Sequence, residues 1–497
     1  MKEKRVLAFD FGASSGRAML GIYDGSRIRL EEIHRFSNDP VFVGGTMYWD
    51  VLRLFHEIKQ GLIKARLAGG FDSVGIDTWG VDFGLIDDKG YLLENPVHYR
   101  DGRTAGMQEK SFEKISREEF YRITGCQFMD FNTAFQVLSL AENRPELLER
   151  ADRLLLVPDL FNYLLTGKKT AEYSMVSTTQ LMDAAAGQWS GRVIDALGLP
   201  AKLFADIIPG GTDLGPISED ICRELELVPV DVIWVAGHDT QSAMISVPAK
   251  EEDFIFVSCG TWSLFGTELD HPLIDENSEK YNITNEGFSV ISKSGTIEKA
   301  AFLKNIIGLW LIQESRRQWI REGKEYGFGE LEKMGAEAEP FRCFIDPDDP
   351  VFMPAGNIPQ RIREYCRNTS QYVPETEGEI VRCINQSLAM KYRNTMEQIS
   401  ACTGRRYNAV YMVGGGTQSG QLCRMTASAC GCPVSAGPVE ATVLGNIVTQ
   451  LMAAGLVDSL LKARELIAKS PDIHRYEPVD AEKWNKAYQK FLEVTGC

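Results

Sequence analysis

Apolar runs and short polar turns alternate along the chain. Val6 to Phe9 is a continuous apolar run of the kind shown by a strand buried on both faces. A turn made only of small and hydroxyl residues, Gly12 to Gly16, separates it from a second apolar run at Ala18 to Tyr23. The pattern returns at Phe254 as FIFV, then Ser258-Cys259-Gly260-Thr261, then Leu264-Phe265. Gly12 can be laid on Gly260, and Ser15 on Ser263. Two copies of strand, glycine-containing turn and strand, about 250 residues apart, predict a duplicated architecture.

Strand and helix patterns also alternate within each half. Val230 to Ala236 reads as a strand feeding a helix from about Gln241, and Ala409 to Val413 as a strand feeding GGGTQSG and a helix through Ala429. Such alternation predicts an α/β fold with mainly parallel or mixed sheets covered by helices. Ile76 to Phe83 reads as two strands joined by a turn at Gly80. LKNIIGLWLIQ from Leu303 has helical spacing, with Leu303, Ile306, Ile307, Trp310 and Leu311 on one face. Pro248 and the charges that follow it suggest a border, giving domains 1–247 and 248–497 with a ligand cleft between them.

Composition narrows the function classes. A chain of 497 residues exceeds a single core, and 44% hydrophobic with 25% charged residues is ordinary for a globular protein. The net charge of −16 gives no general attraction to nucleic acid or anionic lipid. Eleven scattered cysteines suit reduced thiols rather than a disulfide framework, and Cys430-x-Cys432 lacks a second pair at zinc spacing. No stretch approaches the ~18 apolar residues of a membrane span, and MKEKRVLAFDF has too short an apolar core for a signal peptide. A soluble cytoplasmic protein is expected.

The chemistry must come from turns at strand ends. G-x-x-x-x-G-K-[ST], a helix-opening G-x-G-x-x-G and H-E-x-x-H are all absent, which excludes a P-loop kinase, a Rossmann dehydrogenase and a zincin. In DFGASSGR the turn after Asp10 can aim backbone N–H groups and the Ser14 and Ser15 hydroxyls at one anion, with Arg17 adding a fixed charge. CGTWS from Cys259 repeats that chemistry, and Gly414 to Gly416 could let a backbone touch a ligand. In GHDT, Asp239 is either a helix cap or a carboxylate that takes a hydroxyl proton; spacing alone leaves both open. His238 is a sugar partner or a packed histidine. Trp79 is a sugar platform or core, and Asp82 can accept from hydroxyls. On the helix expected from Leu303, Asn305 and Gln313 would stand about 12 Å apart along the axis.

FDFGASSGR, IDTWGVDF, YRDGRT, FNTAFQ, GHDTQSA, CGTWSL, NITNEG, LKNIIGLWLIQ, VGGGTQ and AGPVEATVLGN, in that order, resemble the FGGY carbohydrate kinases through nearly the whole chain. The resemblance implies two actin-like (ribonuclease H-like) domains and transfer of a phosphoryl group from ATP to a ketose. It implies Asp239 as proton acceptor. Ala13, Ser14, Ser15, Gly16, Arg17, Thr261, Gln313 and Gly415 would contact ATP. Gly80, His238, Asp239, Thr240 and Asn305 would surround the ketose, and Asp10 would hold Mg²⁺ through water. Ala13 stands where glycerol and xylulose kinases usually have Thr, and Cys259 where Ser is commoner.

Overall fold

The computed structural model describes residues 3–470 and 472–496. The chain forms two compact units. The first comprises Met1–Pro248, Leu269–Phe302 and Ala441–Lys469; the second comprises Ala249–Glu268, Leu303–Glu440 and Ser470–Cys497. A single border near 247 would assign 269–302 and 441–469 to the second unit. They lie with the first because Asn285 bonds to the carbonyl of Gly125, and because Gln450 of the helix Ala441–Ala453 bonds to Ser73 and to the carbonyl of Leu7.

The sheet of the first unit has the order Asp213–Pro216, Asp231–Ile233, Ser73–Thr78, Lys4–Phe11, Ser15–Tyr23, Ile28–Ser37. Lys4–Phe11 pairs antiparallel with Ser15–Tyr23 and parallel with Ser73–Thr78, which pairs parallel with Asp231–Ile233; Asp213–Pro216 closes the edge antiparallel. The continuous apolar run of Lys4–Phe11 follows from this central place: from Val6 onward every residue is buried. The helix Val51–Leu67 turns Val51, Leu54, Ile58, Leu62 and Ala65 inward, and Gly61 admits the Phe9 ring where a Cβ would stand 2.5 Å from it.

The second unit repeats this order. Ile255–Cys259 pairs antiparallel with Trp262–Leu269 and parallel with Val410–Val413, which pairs parallel with Val434–Ala436; His474–Tyr476 closes the edge antiparallel. The outer neighbour of Trp262–Leu269 is Gly295–Ile307. The duplication therefore extends well beyond the two hairpins that reveal it in sequence.

In the first hairpin Gly12 N–H donates to the Ser15 carbonyl at 2.9 Å; in the second, Gly260 N–H donates to the Trp262 carbonyl at 2.8 Å. The second turn is one residue shorter, so Ser15 corresponds to Trp262, not Ser263. Ser263 is buried, with its hydroxyl 2.6 Å from that of Tyr392. Ser73–Thr78 and Phe83–Asp87 belong to different sheets, the latter pairing with Ala151–Leu156.

The helix expected from Leu303 is a strand, Gly295–Ile307, followed by a helix, Trp310–Arg321. Its apolar face at helical spacing reflects burial on both sides of the strand. The break falls at Gly308, whose N–H donates to the Thr261 carbonyl at 3.1 Å and whose missing Cβ would stand 2.5 Å from Ser263 Oγ. Among the described residues no helix is long and apolar enough to cross a membrane.

Candidate active site

Three neighbouring chain segments of the first unit end side by side. Asp10, near the end of Lys4–Phe11, is the register partner of Asp77 on the parallel strand and of Arg17 across the hairpin. Thr78 N–H donates to the Gly237 carbonyl at 2.8 Å, which brings His238 and Asp239 to the same edge. Ligands of α/β sheets commonly bind at such carboxyl ends. Ser14 and Ser15 are exposed at the hairpin turn, flanked by half-buried Ala13, while Gly16 is buried because a Cβ there would meet the Phe36 ring at 2.3 Å. Arg17 Nε and Nη2 donate to Asp10 Oδ2 at 3.0 and 2.7 Å. The arginine read from sequence as a phosphate ligand is here the counter-ion of Asp10.

The helix Asp239–Ile245 resolves one ambiguity. Its cap position is His238, whose side chain makes no capping bond, so Asp239 is not the cap. Asp239 instead accepts from the Thr240 hydroxyl at 3.2 Å and keeps 31% of its side chain exposed. Burial and the nearby Asp10 charge push its carboxyl up to about 6, against the opposing pull of His238. Asp77 is completely buried and raised well above the usual carboxylate range, first by burial and then by Asp10. Asn446 Nδ2 donates to its Oδ2 at 2.6 Å, and its Oδ1 has no hydrogen-bond partner. The AGPVEATVLGN motif supplies Asn446, a role that sequence reasoning missed.

His238 lies between two carboxylates, with Nδ1 3.1 Å from Glu286 Oε2 and Nε2 3.4 Å from Asp239 Oδ1. Burial would lower its pKa, but Glu286, Asp239 and Glu172 outweigh it and the net direction is upward. Gly80 lies against the ring, since a Cβ there would stand 3.3 Å from Nε2. Gly80, His238, Asp239 and Thr240 are thus brought together. Glu286, from NITNEG, was missed in sequence because nothing within that motif marks its acid as the neighbour of a histidine distant in the chain.

Asp82 is a structural hub. Its carboxylate accepts from Trp49 Nε1 at 2.6 Å, Trp79 Nε1 at 3.0 Å, Gln136 Nε2 at 2.9 Å and the Tyr99 N–H at 3.2 Å. It is completely buried, which pushes its carboxyl up to about 6 against these hydrogen bonds. It therefore offers nothing to sugar hydroxyls. Trp79 is core: 5% exposed and tilted against Trp49 with centroids 4.1 Å apart.

In the second unit, Thr261 Oγ1 donates to Gln313 Oε1 at 3.3 Å, joining two of the residues expected at the nucleotide. Gly414 to Gly416 do not act alike. A Cβ on Gly416 would stand 2.1 Å from Cys259 Sγ, and Gly414 has φ +85° and lies against the Cys259 carbonyl. Only Gly415 faces open space, with no atom within 4 Å of a Cβ. Cys259 is thus a packing wall for this turn. Asn305 is on the strand and Gln313 in the first turn or so of the following helix, so no single helix carries both.

For a divalent ion the donor set of the first unit is suitable. Asp10 and Asp239 are hard oxygen ligands with more charge than Arg17 balances, and the neighbouring Asp77 has an Oδ1 without a hydrogen-bond partner. The one tight group among the described residues is Cys343, Cys366 and Cys383 in the second unit, whose soft sulfurs do not suit Mg²⁺.

Acidic strand ends beside an exposed hydroxyl turn in the first unit, and a glycine- and hydroxyl-bearing turn at the matching hairpin of the second, suit a phosphotransferase of duplicated α/β fold. The N-terminal domain model of the FGGY family of carbohydrate kinases matches residues 5–246 and the C-terminal domain model matches residues 255–454. The chain belongs to this family and is a carbohydrate kinase. It is 41% identical to a rhamnulokinase of Bacteroides thetaiotaomicron over 490 residues, covering 98% of this chain and 99% of that one. It is 40% identical to a rhamnulokinase of Halalkalibacterium halodurans, covering 96% and 99%. Among solved structures, a gluconate kinase of Lactobacillus acidophilus superposes with TM-score 0.79 at 15% identity, covering 99% of this chain and 98% of that one. A xylulose kinase from the same organism gives 0.78 at 15% identity, covering 99% and 97%. These two share the fold.

Proposed function

We propose that this kinase transfers the γ-phosphoryl group of ATP to the C1 hydroxyl of L-rhamnulose, giving L-rhamnulose 1-phosphate and ADP in L-rhamnose breakdown. Full-length identity of 36–41% to curated rhamnulokinases supports the substrate. The observation that carries the mechanism is Asp239: uncapping, partly exposed, and set at the strand-end edge beside Gly80 and His238. It accepts the C1 hydroxyl proton as the oxygen attacks phosphorus, which is general-base catalysis. Gly80, His238, Thr240 and Asn305 hold the ketose. Ala13 to Gly16, Thr261, Gln313 and Gly415 bind ATP, with exposed backbone amides and hydroxyls facing the phosphates. Asp10, oriented by Arg17, would hold Mg²⁺ through water; the ion would offset charge on the transferring phosphoryl group. We assign the reaction to the cytoplasm, the compartment that supplies ATP.

A coupled assay of ADP release across L-rhamnulose, L-fuculose, D-xylulose and glycerol tests the substrate. L-Rhamnulose should give the highest kcat/KM, and a clear preference for another member of the panel would contradict the assignment.

A further inference from the structure

Glu286 is a buried carboxylate on the strand Thr284–Ser292, and such a charge is costly unless paired. Among the described residues its one cationic neighbour is His238. Oε2 also accepts from Gln241 Nε2 at 3.0 Å, so one oxygen is held by two residues of the segment that carries Asp239. The imidazole Nδ1 approaches that oxygen at 3.1 Å but off the line of a hydrogen bond, and the ring's other nitrogen faces Asp239 and Gly80. The titratable groups around the ring are Glu286, Asp239 and Glu172.

We propose that Glu286 is a positioning residue: it fixes the His238 ring so that Nε2 is held against Asp239 and the bound ketose. With Nδ1 turned toward Glu286, a ring protonated there alone presents Nε2 as an acceptor for a sugar hydroxyl, and a doubly protonated ring presents an Nε2–H donor to Asp239, the part an orienting carboxylate plays behind a histidine elsewhere. Glu286 thereby sets the direction in which the base presents its free oxygen. This rests on Asp239 being the base.

The test compares Glu286→Gln, Glu286→Asp and Asp239→Asn by kcat, by KM for L-rhamnulose and for ATP separately, and by Tm. Glu286→Gln should lower kcat by at least about tenfold, because loss of an orienting carboxylate can cost far more. KM for ATP and Tm should hold, and Glu286→Asp should recover part of the loss. Wild-type kcat and ketose KM in Glu286→Gln beside an inactive Asp239→Asn would overturn the inference alone. A loss of kcat that tracks lost Tm or lost ATP affinity would also overturn it. An active Asp239→Asn would overturn the base assignment and the inference together. Should Glu286→Gln fail to fold, Gln241→Met releases the other hold on Oε2; reduced kcat with unchanged KM for ATP is expected, and wild-type kcat would contradict the proposal.

Discussion

Asp10 and Asp77 are register partners on adjacent parallel strands, and only Asp10 has a cation to answer its charge. Asp77 has Asn446 instead, and burial beside Asp10 favours its protonated form. Its folded pKa is raised above the unfolded value near 4, so the folded state binds the extra proton between those two values. Stability contributed by this group is full below the unfolded pKa and declines as pH rises toward the folded one.

Asp77→Asn removes that titration. Its Tm should fall less steeply with rising pH than that of the wild type from about pH 4 upward. Parallel Tm–pH curves for the two proteins would show that Asp77 carries no such burden.

Asp239 has the opposite requirement, because a base must be ionised. With its carboxyl raised to about 6, kcat/KM should climb roughly tenfold per pH unit below that value and level off above it. A flat profile between pH 5 and 8 would contradict the assignment.

Gly415 and Gly416 should respond differently to the same change. Gly415→Val meets open space, so it should fold normally and weaken ADP binding with less effect on the ketose. Gly416→Val drives a side chain into Cys259 and should cost about 1–3 kcal/mol of stability. Calorimetric titration with ADP beside Tm separates them; unchanged ADP affinity in Gly415→Val would make the turn purely structural.

The hairpin signal at Gly12 and Gly260 was enough to read the duplication, because a buried strand followed by a tight polar turn leaves a contiguous pattern. GHDT and the glycine turns were legible for the same reason. What failed involved partners distant in sequence. The Gly295–Ile307 strand imitates a helix face because both of its sides are buried. The pairing of Arg17 with Asp10 had no local sign until the ladder set them opposite each other. Asp82 looked available until Trp49, Trp79, Gln136 and Tyr99 closed on it. Glu286 and Asn446 were invisible, since each gains its meaning from a residue more than forty positions away.

The measurement that bears most directly on the account is turnover of Asp239→Asn with L-rhamnulose and Mg-ATP, made beside binding constants for both ligands and a Tm. The change is nearly isosteric and removes no capping bond, so folding and ATP binding should persist. kcat should fall by about 10²–10⁴-fold, the usual contribution of a positioned base. A folded variant retaining more than about a tenth of wild-type kcat would contradict Asp239 as the proton acceptor.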